Sequence, residues 1–293
     1  DNFSTGQKNF IQDAIDNKNF EFHEVDLLYT KELHKWLEGV DIVYHFSANA
    51  DIRFGLAHPA VDLQQNIIVT HNLLESMRIC EVKRIVFSSS AAALGEPSTF
   101  PTPEDCSFPI QTSLYGSSKL ACEGMISSYC QGYGFEGYVF RFVSLLGPRY
   151  PHGHVFDFVK KLKSDETVLH ILGDGQQKKS YLHIDDCLEA LVHICINKRT
   201  ALKNSDRFSV FHLGVSDYCK VVDSAGWICD ELGLSPVFEF SGGERGWIGD
   251  NPFVFLDCSK AQQTGWIPKH GIEQSIRETT AWLSENPWIF DSR

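Results

Sequence analysis

The chain has 293 residues, enough for one large α/β unit or for two lobes around a sizeable core. Hydrophobic residues make up 43% and charged residues 22%, ordinary values that exclude a largely disordered chain. The formal net charge of −12 argues against a surface that binds nucleic acid or an anionic membrane, and no apolar run is long enough to cross a bilayer.

Short β-rich runs alternate with helical patterns through the first half of the chain. Strands are predicted at residues 20–25, 41–46, 84–89 and 137–143, and helices near residues 31–37, 61–80 and 116–129. Strands separated by helices imply right-handed crossovers and therefore a parallel sheet. The strand runs lack strict alternation of apolar and polar residues, as expected when both faces of the sheet are covered.

The second half of the chain has a looser pattern. Helices are predicted near residues 155–162, 185–196, 222–232 and 272–282, with a strand at 208–213 and a glycine turn at 173–175. No repeat, low-complexity stretch or Pro/Gly-rich linker separates the halves. We therefore predict two lobes that share an intimate interface.

The spacing of cysteines and histidines indicates neither disulfides nor a metal site. The nine cysteines never form a CxxC pair, which is typical of reduced thiols in a cytoplasmic protein. The twelve histidines show no HExxH or comparable spacing, so we expect no metal ion.

Tyr115 and Lys119 are the first residues whose spacing points to chemistry. Four positions apart on a predicted helix, they share one face and can meet a common ligand. A free tyrosine has a pKa of about 10, and a neighbouring ammonium favours the phenolate, so we expect the Tyr115 pKa to move toward neutrality. The pair alone is weak evidence, because an amphipathic helix with an exposed lysine has the same spacing.

Three consecutive serines, Ser88, Ser89 and Ser90, strengthen this interpretation. They stand at the end of the predicted strand that starts at Arg84. In an open parallel sheet, ligands bind beyond the carboxyl ends of the strands. A hydroxyl cluster at that place can converge with Tyr115 on one substrate, whereas serines that only cap a turn would predict nothing further along the chain.

Two segments, FSSSAAALGEP (87–97) and LYGSSKLACE (114–123), resemble the active-site stretches of extended short-chain dehydrogenases/reductases. The likeness is greatest to the UDP-galactose 4-epimerases and their relatives, which carry SSSAxVYG and YGxSK. It spans essentially the whole chain, and the order and spacing of the segments carry it, since several are loose individually. Further similar segments are DNFSTG (1–6), HFSANAD (45–51), NIIVTHNLLE (66–75), FRFVSLLGPR (140–149), GDGQQKKSYLHIDD (173–186) and RGWIGDNPFVFLDCSKAQQTGW (245–266).

The resemblance implies an α/β fold: a Rossmann-type, doubly wound parallel sheet with a smaller C-terminal α/β substrate lobe. An NAD-binding domain is expected at residues 1–146, with segments near 180–215 returning to it, and a sugar-nucleotide lobe mainly at 147–293. The family's first strand, Gly-rich loop and first helix would precede Asp1, so we expect them to be missing from this chain.

The resemblance also implies roles for individual residues. Tyr115 would be the acid/base on the sugar hydroxyl, Lys119 would bind the nicotinamide ribose and lower the tyrosine pKa, and Ser90 would share the hydrogen bond to the hydroxyl. The Asp1 carboxylate would bind the adenosine ribose and repel a 2′-phosphate, which favours NAD over NADP. The residues implied to contact NAD are Asp1, Asn2, Asp26, Leu27, Phe46, Ser47, Ala48, Asn66, Ser88, Tyr115 and Lys119.

A UDP-sugar or related nucleotide-diphosphate sugar is the implied substrate. Lys179 stands where the family has a nucleotide-side arginine, and Arg245 where it has the diphosphate-binding arginine. Ser144 replaces the usual asparagine, and Lys179 lacks the arginine fork, so the nucleotide and the sugar stay open. The residues implied to contact the substrate are Ser90, Ser144, Lys179, Arg245 and Val254.

Val254 is expected at a gatekeeping position, where a small residue leaves room for a bulky C2 substituent such as N-acetyl. The alternative is that Val254 only packs in a strand while Phe253 or Phe255 fills the space.

The reaction implied is NAD-dependent epimerisation at C4 of a UDP-hexose through a transient 4-keto sugar. Sugar-nucleotide 4,6-dehydratases typically carry Asp-Glu after the hydroxyl residue, and GDP-mannose 3,5-epimerases need a cysteine there, whereas this chain has Ala91 and Ala92. A ketoreductase, a dehydratase or a decarboxylase of the same superfamily stays open. A non-catalytic NAD-binding regulator is disfavoured, because such proteins commonly lose the tyrosine or the lysine.

A homodimer is also expected, with the helices near 61–80 and 116–129 pairing with their symmetry mates as a four-helix bundle. The alternative is that both helix faces are buried within one chain. The apolar residues beyond one core-facing stripe are Ile67, Ile68, Leu73, Leu74, Met125 and Ile126.

Overall fold

The computed structural model of the chain describes residues 1–49, 51–107, 110–197, 207–247 and 249–291. Its strands are β1 (Val43–His45), β2 (Arg84–Ser88), β3 (Glu136–Phe142), β4 (Ser144–Leu146), β5 (Val168–Ile171), β6 (Lys178–Lys179), β7 (Tyr181–His183), β8 (Phe208–Leu213), β9 (Cys219–Lys220), β10 (Val237–Phe240) and β11 (Phe253–Val254). Its helices are α1 (Gln12–Ile15), α2 (Leu33–Leu37), α3 (Ile52–Ala57), α4 (Ala60–Asp62), α5 (Val69–Ile79), α6 (Leu114–Tyr133), α7 (His154–Ser164), α8 (Ile184–Val192), α9 (Val221–Leu232), α10 (Ser259–Gln262) and α11 (Ile272–Glu285).

The central sheet has four parallel strands in the order β1-β2-β3-β8. Helices α3 to α5 connect β1 to β2, and α6 connects β2 to β3. The predicted α/β class and parallel sheet are thus confirmed. The chain leaves this sheet after β3 and returns to it at β8. β8 lies within the segment near 180–215 for which a return to the NAD-binding domain was predicted. Residues 198–206 of that segment lie outside the described residues.

Helices cover both faces of the central sheet. In β2, Ile85 and Phe87 pack with Leu74 of α5 in one hydrophobic cluster, whereas Val86 packs in another with Leu191 of α8. Successive strand residues point to opposite faces, and all three of these β2 residues are buried. Burial on both faces explains why the strand runs show no alternation of apolar and polar residues.

The second half of the chain builds smaller sheets around a separate core. β4 pairs with β7 and β5 with β10, while β6 lies between antiparallel β9 and parallel β11. Their helices share a hydrophobic cluster that includes Val159 of α7, Ile228 of α9 and Ile276 of α11. A second core favours the two-lobe organisation, whose division at residue 146 stays a prediction.

Residues 20–25 are not a strand, so that prediction is wrong. A β-ladder needs a neighbouring strand. Here the backbone of the segment bonds to isolated residues and not to a strand. The Val25 N–H donates to the Asp1 carbonyl at 3.0 Å and the Phe20 N–H to the Asn17 carbonyl at 2.8 Å, and the Asp1 amino group lies 3.5 Å from the His23 carbonyl oxygen.

The helix predicted near 61–80 has the expected length, and the one predicted near 116–129 is longer than expected. A π-helical stretch, Leu63–Ile68, joins α4 to α5, so helical structure runs from Ala60 to Ile79. α6 has 20 residues and ends at Gly134, whose left-handed backbone (φ 70°) suits glycine. Within the described part of the chain, no helix has the length and hydrophobicity needed to span a bilayer.

Candidate active site

A cavity of about 1040 Å³ lies at the carboxyl ends of β1, β2 and β3. One wall comes from these strand ends and the start of α6, and the other from α7, β6, β7 and β11. This edge of a parallel sheet is where doubly wound folds bind ligands. Nine of the predicted site residues line the cavity: Phe46, Ala48, Ser88, Ser90, Tyr115, Lys119, Ser144, Lys179 and Val254.

Tyr115 and Lys119 lie on one face of α6 and meet in this cavity. The Ser113 hydroxyl caps the helix by accepting a hydrogen bond from the Gly116 N–H at 3.0 Å, so α6 begins with the turn that carries Tyr115. The Lys119 Nζ lies 5.7 Å from the centre of the Tyr115 ring and donates to the Ser88 carbonyl at 2.7 Å. The two predicted catalytic side chains therefore share one wall of the cavity.

Burial changes the acid–base properties of both residues. It raises the pKa of Tyr115 to about 12, while a hydrogen bond with Ser90 acts in the opposite direction. It also lowers the pKa of the Lys119 ammonium to about 8. The expected shift of the Tyr115 pKa toward neutrality is not found, because desolvation of the phenolate outweighs the opposing effect of Ser90.

The three serines at the end of β2 face different partners. The Ser88 hydroxyl donates to the His45 carbonyl at 3.2 Å and so joins β2 to β1. Ser89 is buried, belongs to the cavity lining and donates its hydroxyl hydrogen to the Glu123 carboxylate. Ser90 lies beside the phenol, whose pKa it lowers, and its Oγ accepts the Ala92 N–H at 3.1 Å.

Behind these serines lies a buried ion pair that the sequence analysis missed. Glu123 of α6 and Arg141 of β3 are 4% and 8% exposed, and their charged atoms are 2.7 Å apart. Ser89 donates its hydroxyl hydrogen to the same carboxylate, and Arg141 also donates to the Glu104 carbonyl at 3.1 Å. The available signal was a charged residue inside each of two apolar runs, since buried charges are nearly always paired.

Asn66 lies behind the cavity rather than in its lining. Its amide nitrogen donates to the Ser118 hydroxyl at 2.7 Å and to Asp62 at 3.3 Å, and its oxygen accepts the Asn49 N–H at 2.8 Å. The Ser118 hydroxyl donates in turn to the Tyr115 carbonyl at 2.7 Å. Asn66 therefore braces the first turn of α6, whereas we expected it near the cofactor.

Five predicted NAD residues also lie outside the cavity lining: Asp1, Asn2, Asp26, Leu27 and Ser47. The Asn2 amide donates to Asp26 Oδ2 at 3.0 Å, and Asp26 Oδ1 accepts the Leu28 N–H at 2.8 Å. These contacts bring the first residues of the chain beside Asp26, so polar groups expected at the adenosine end of NAD form one cluster.

Lys179 and Arg245, the two predicted substrate cations, are both engaged with carboxylates. The Lys179 Nζ lies 2.7 Å from Asp250 Oδ1, and both residues line the cavity. Arg245 contacts the Glu96 carboxylate and donates to the Asp250 carbonyl at 2.7 Å. The other oxygen of Asp250 accepts the Gly246 N–H at 3.0 Å. Arg245, unlike Lys179, is not part of the cavity lining.

Val254 faces the cavity from β11, where it pairs with Lys179 of β6. Its neighbours Phe253 and Phe255 do not line the cavity; their ring centres lie 5.1 and 5.6 Å from that of Tyr218. Side chains alternate along extended backbone, which separates the two phenyl rings from Val254. Nothing in this arrangement supports the alternative that those rings fill the space beside it.

The residues in the cavity fit the nicotinamide end of NAD. The Lys119 ammonium and the Tyr115 hydroxyl are donors suited to ribose hydroxyls, and Phe46 and Val143 give an apolar surface for a flat ring. At the other end, the half-buried Asp26 carboxylate and the Asn2 amide are suited to adenosine.

The chain was compared with known proteins. The model of the NAD dependent epimerase/dehydratase family matches residues 1–210. A putative UDP-glucose 4-epimerase of Methanocaldococcus jannaschii is 27% identical over 292 residues, which cover 98% of this chain and 90% of that protein.

Two solved structures extend the comparison. A crystal structure of UDP-galactose 4-epimerase is 30% identical with a TM-score of 0.84, covering 98% of this chain and 90% of its own. A UDP-glucuronic acid 4-epimerase from Bacillus cereus, in complex with UDP-glucuronic acid and NAD, is 25% identical with a TM-score of 0.82, covering 94% and 85%. The expected Rossmann-type fold is confirmed.

Proposed function

Because the chain belongs to the NAD-dependent epimerase/dehydratase family, within the extended short-chain dehydrogenases/reductases, we propose that it inverts C4 of a UDP-hexose through a transient 4-keto sugar. The observation that carries this proposal is the convergence of Ser90, Tyr115 and Lys119 on one cavity at the carboxyl edge of the sheet. The chemistry that bound NAD would supply is reversible hydride transfer with the sugar carbon.

Tyr115 handles the proton of the reacting hydroxyl. With a pKa of about 12 the phenol is protonated at neutral pH, the form that donates a proton to the 4-keto oxygen when the sugar is reduced again. To accept the proton of the hydroxyl in the first half of the reaction, Tyr115 must first release its own proton to water and become the phenolate. The Lys119 ammonium, on the same wall, stabilises the negative charge that develops on the phenol oxygen. Ser90, beside the phenol, lowers the Tyr115 pKa and so favours the phenolate.

The carboxylates of the cavity favour epimerisation over elimination of water. A dehydratase needs an additional acid/base pair beside the tyrosine. The positions after Ser90 are alanines, and every carboxylate in the described lining has another partner. These are Asp51, which caps α3, Asp157, which pairs with Arg53 at 3.3 Å, and Asp250, which pairs with Lys179 at 2.7 Å.

The diphosphate is assigned to the side of the cavity that holds Lys179 and Arg245. Val254 leaves room on the sugar side, so the proposal includes hexoses with a C2 acetamido group. The UDP-sugars in the names of the relatives support a uracil nucleotide.

A homodimer in the cytoplasm is part of the proposal. Of the six apolar residues expected at the interface, Leu73, Leu74 and Ile126 are buried within the chain, whereas Ile68 is 39% exposed. Ile79 of α5 is 63% exposed, and it extends the same helical surface as Ile68. Light scattering at micromolar concentration should give the mass of two chains, and a mass of one chain would refute the dimer.

The deciding experiment is to incubate the protein and NAD with a panel of UDP- and GDP-hexoses and to follow the products by NMR. We expect interconversion of C4 epimers without net consumption of NAD. A 4-keto-6-deoxy product would identify a dehydratase, stoichiometric oxidation of added NADH a ketoreductase, and binding without turnover a regulator.

A further inference from the structure

We propose that Glu96 is an exchangeable counter-ion that holds Arg245 outside the cavity until the diphosphate of a nucleotide sugar takes its place. The inference rests on the proposed function, because it assigns Arg245 to that diphosphate. It makes Glu96, a residue of neither the catalytic group nor the cofactor group, a determinant of substrate affinity.

Two cations and two anions meet at this side of the cavity. Lys179 is paired with Asp250, and Arg245 with Glu96. The four charges cancel, so an arriving diphosphate meets a neutral cluster rather than a positive one. A diphosphate can form charge-assisted hydrogen bonds to both Lys179 and Arg245 only after one of the two carboxylates has moved away.

Asp250 is the carboxylate that stays. Its two oxygens are bound to Lys179 Nζ at 2.7 Å and to the Gly246 N–H at 3.0 Å, and its carbonyl accepts from Arg245 at 2.7 Å. Its side chain is only 14% exposed. Withdrawing Asp250 would break the turn that carries Arg245 itself.

Glu96 is the carboxylate that can leave. It belongs to a different loop, which follows Ala91–Leu94, and its side chain is 38% exposed. When it releases Arg245 its carboxylate moves into water at little cost, since an exposed ion pair contributes little to stability. The Asn251 amide donates to the Gly95 carbonyl at 2.7 Å, so the two loops stay joined after the exchange.

The position of Arg245 supports the exchange. Its neighbours Gly246 and Asp250 line the cavity, but Arg245, paired with Glu96 and 44% exposed, does not. A long side chain anchored beside the cavity and turned onto a surface carboxylate needs only rotamer changes to reach a ligand inside it.

The test measures the Kd of UDP by titration calorimetry for the parent protein and for Glu96→Gln, at low and at high salt. We expect Glu96→Gln to bind UDP about two- to fivefold more tightly at low salt, and the gap to close at high salt because the competing pair is screened. Uridine, which lacks the diphosphate, should bind both proteins equally.

The matched control is Glu244→Gln, which removes the same charge next to Arg245 in the sequence. Equal tightening by both variants would show a general charge effect and would overturn the proposal, as would an unchanged Kd for Glu96→Gln. Weaker binding by Glu96→Gln would show that Glu96 supports the site instead. If the parent binds no UDP at any salt concentration, the proposed function fails as well, an outcome distinct from the others.

Discussion

Tyr115 stands at the centre of the site as an uncharged, partly buried phenol. Tyr115→Phe removes only its hydroxyl, so we expect the fold and NAD binding to persist while kcat falls by about a hundred- to ten-thousandfold, the usual contribution of a positioned acid/base. Steady-state kinetics and NAD titration would measure this. Tyr150→Phe, another tyrosine of the cavity lining, is the control and should keep most of the activity. A Tyr115→Phe rate within tenfold of the parent would remove Tyr115 from the mechanism.

Val254 controls the volume available on the sugar side of the cavity. Val254→Tyr places a phenol ring in that space, and the flanking phenyl rings are held against Tyr218 on the other side of the strand. We expect the variant to keep activity on UDP-galactose and to lose it on UDP-N-acetylgalactosamine, measured as the ratio of kcat/KM in a competition assay. A variant that handles the acetylated sugar as well as the parent does would show that Val254 is not the gate.

At the scale of elements, the Glu123–Arg141 pair fastens α6 to β3 underneath the serines of β2. Arg141→Met leaves the Glu123 carboxylate buried without its cation, so we expect the free energy of unfolding to fall by about 3–5 kcal/mol in urea titrations. Arg53→Met removes an arginine from a partly exposed pair with Asp157 and should cost no more than about 1 kcal/mol. Similar losses for the two variants would contradict a structural role for the buried pair.

The elements that could be predicted from the sequence are those that a local pattern of apolar residues identifies without knowledge of tertiary contacts. The apolar runs of β2, β3 and β8 and the helix that carries Tyr115 and Lys119 lie where expected, because burial on a covered sheet leaves a continuous apolar run. Residues 20–25 also contain two phenylalanines and a valine, but a strand needs a neighbouring strand as well, which local composition cannot supply.

The contacts of the candidate site were less predictable. The pairing of Glu123 with Arg141 joins a helix to a strand, and that of Glu96 with Arg245 joins loops far apart in sequence. The raised pKa of Tyr115 depends on how deeply the phenol is buried, which no spacing reveals. The sequence therefore indicated which residues form the candidate site. It did not indicate which charged side chains pair with each other or how strongly the Tyr115 phenol is desolvated.

At the scale of the whole molecule, three histidines make stability depend on pH. Burial lowers the pKa of His45 and His154 to about 3 and that of His212 to about 4, against 6.5 when exposed. These groups bind protons more readily in the unfolded chain, so their contribution to stability is complete above pH 6.5 and declines as the pH falls. We expect Tm to decrease between pH 7 and 5.5, with a shallower decrease in His45→Gln. The exposed His170→Gln is the control, and a parent Tm that does not change would contradict this expectation.

The return of the chain to the central sheet has a consequence for biosynthesis. β8 pairs with residues 137–142 of β3, yet the ribosome releases it only after β4 to β7 and helices α7 and α8. Until then the nascent chain presents the edge of β3 as an open template for other chains. We expect a fragment of residues 1–146 to aggregate, and a fragment of residues 1–215 to be more soluble by sedimentation. Equal solubility of the two would mean that β8 does not protect this edge.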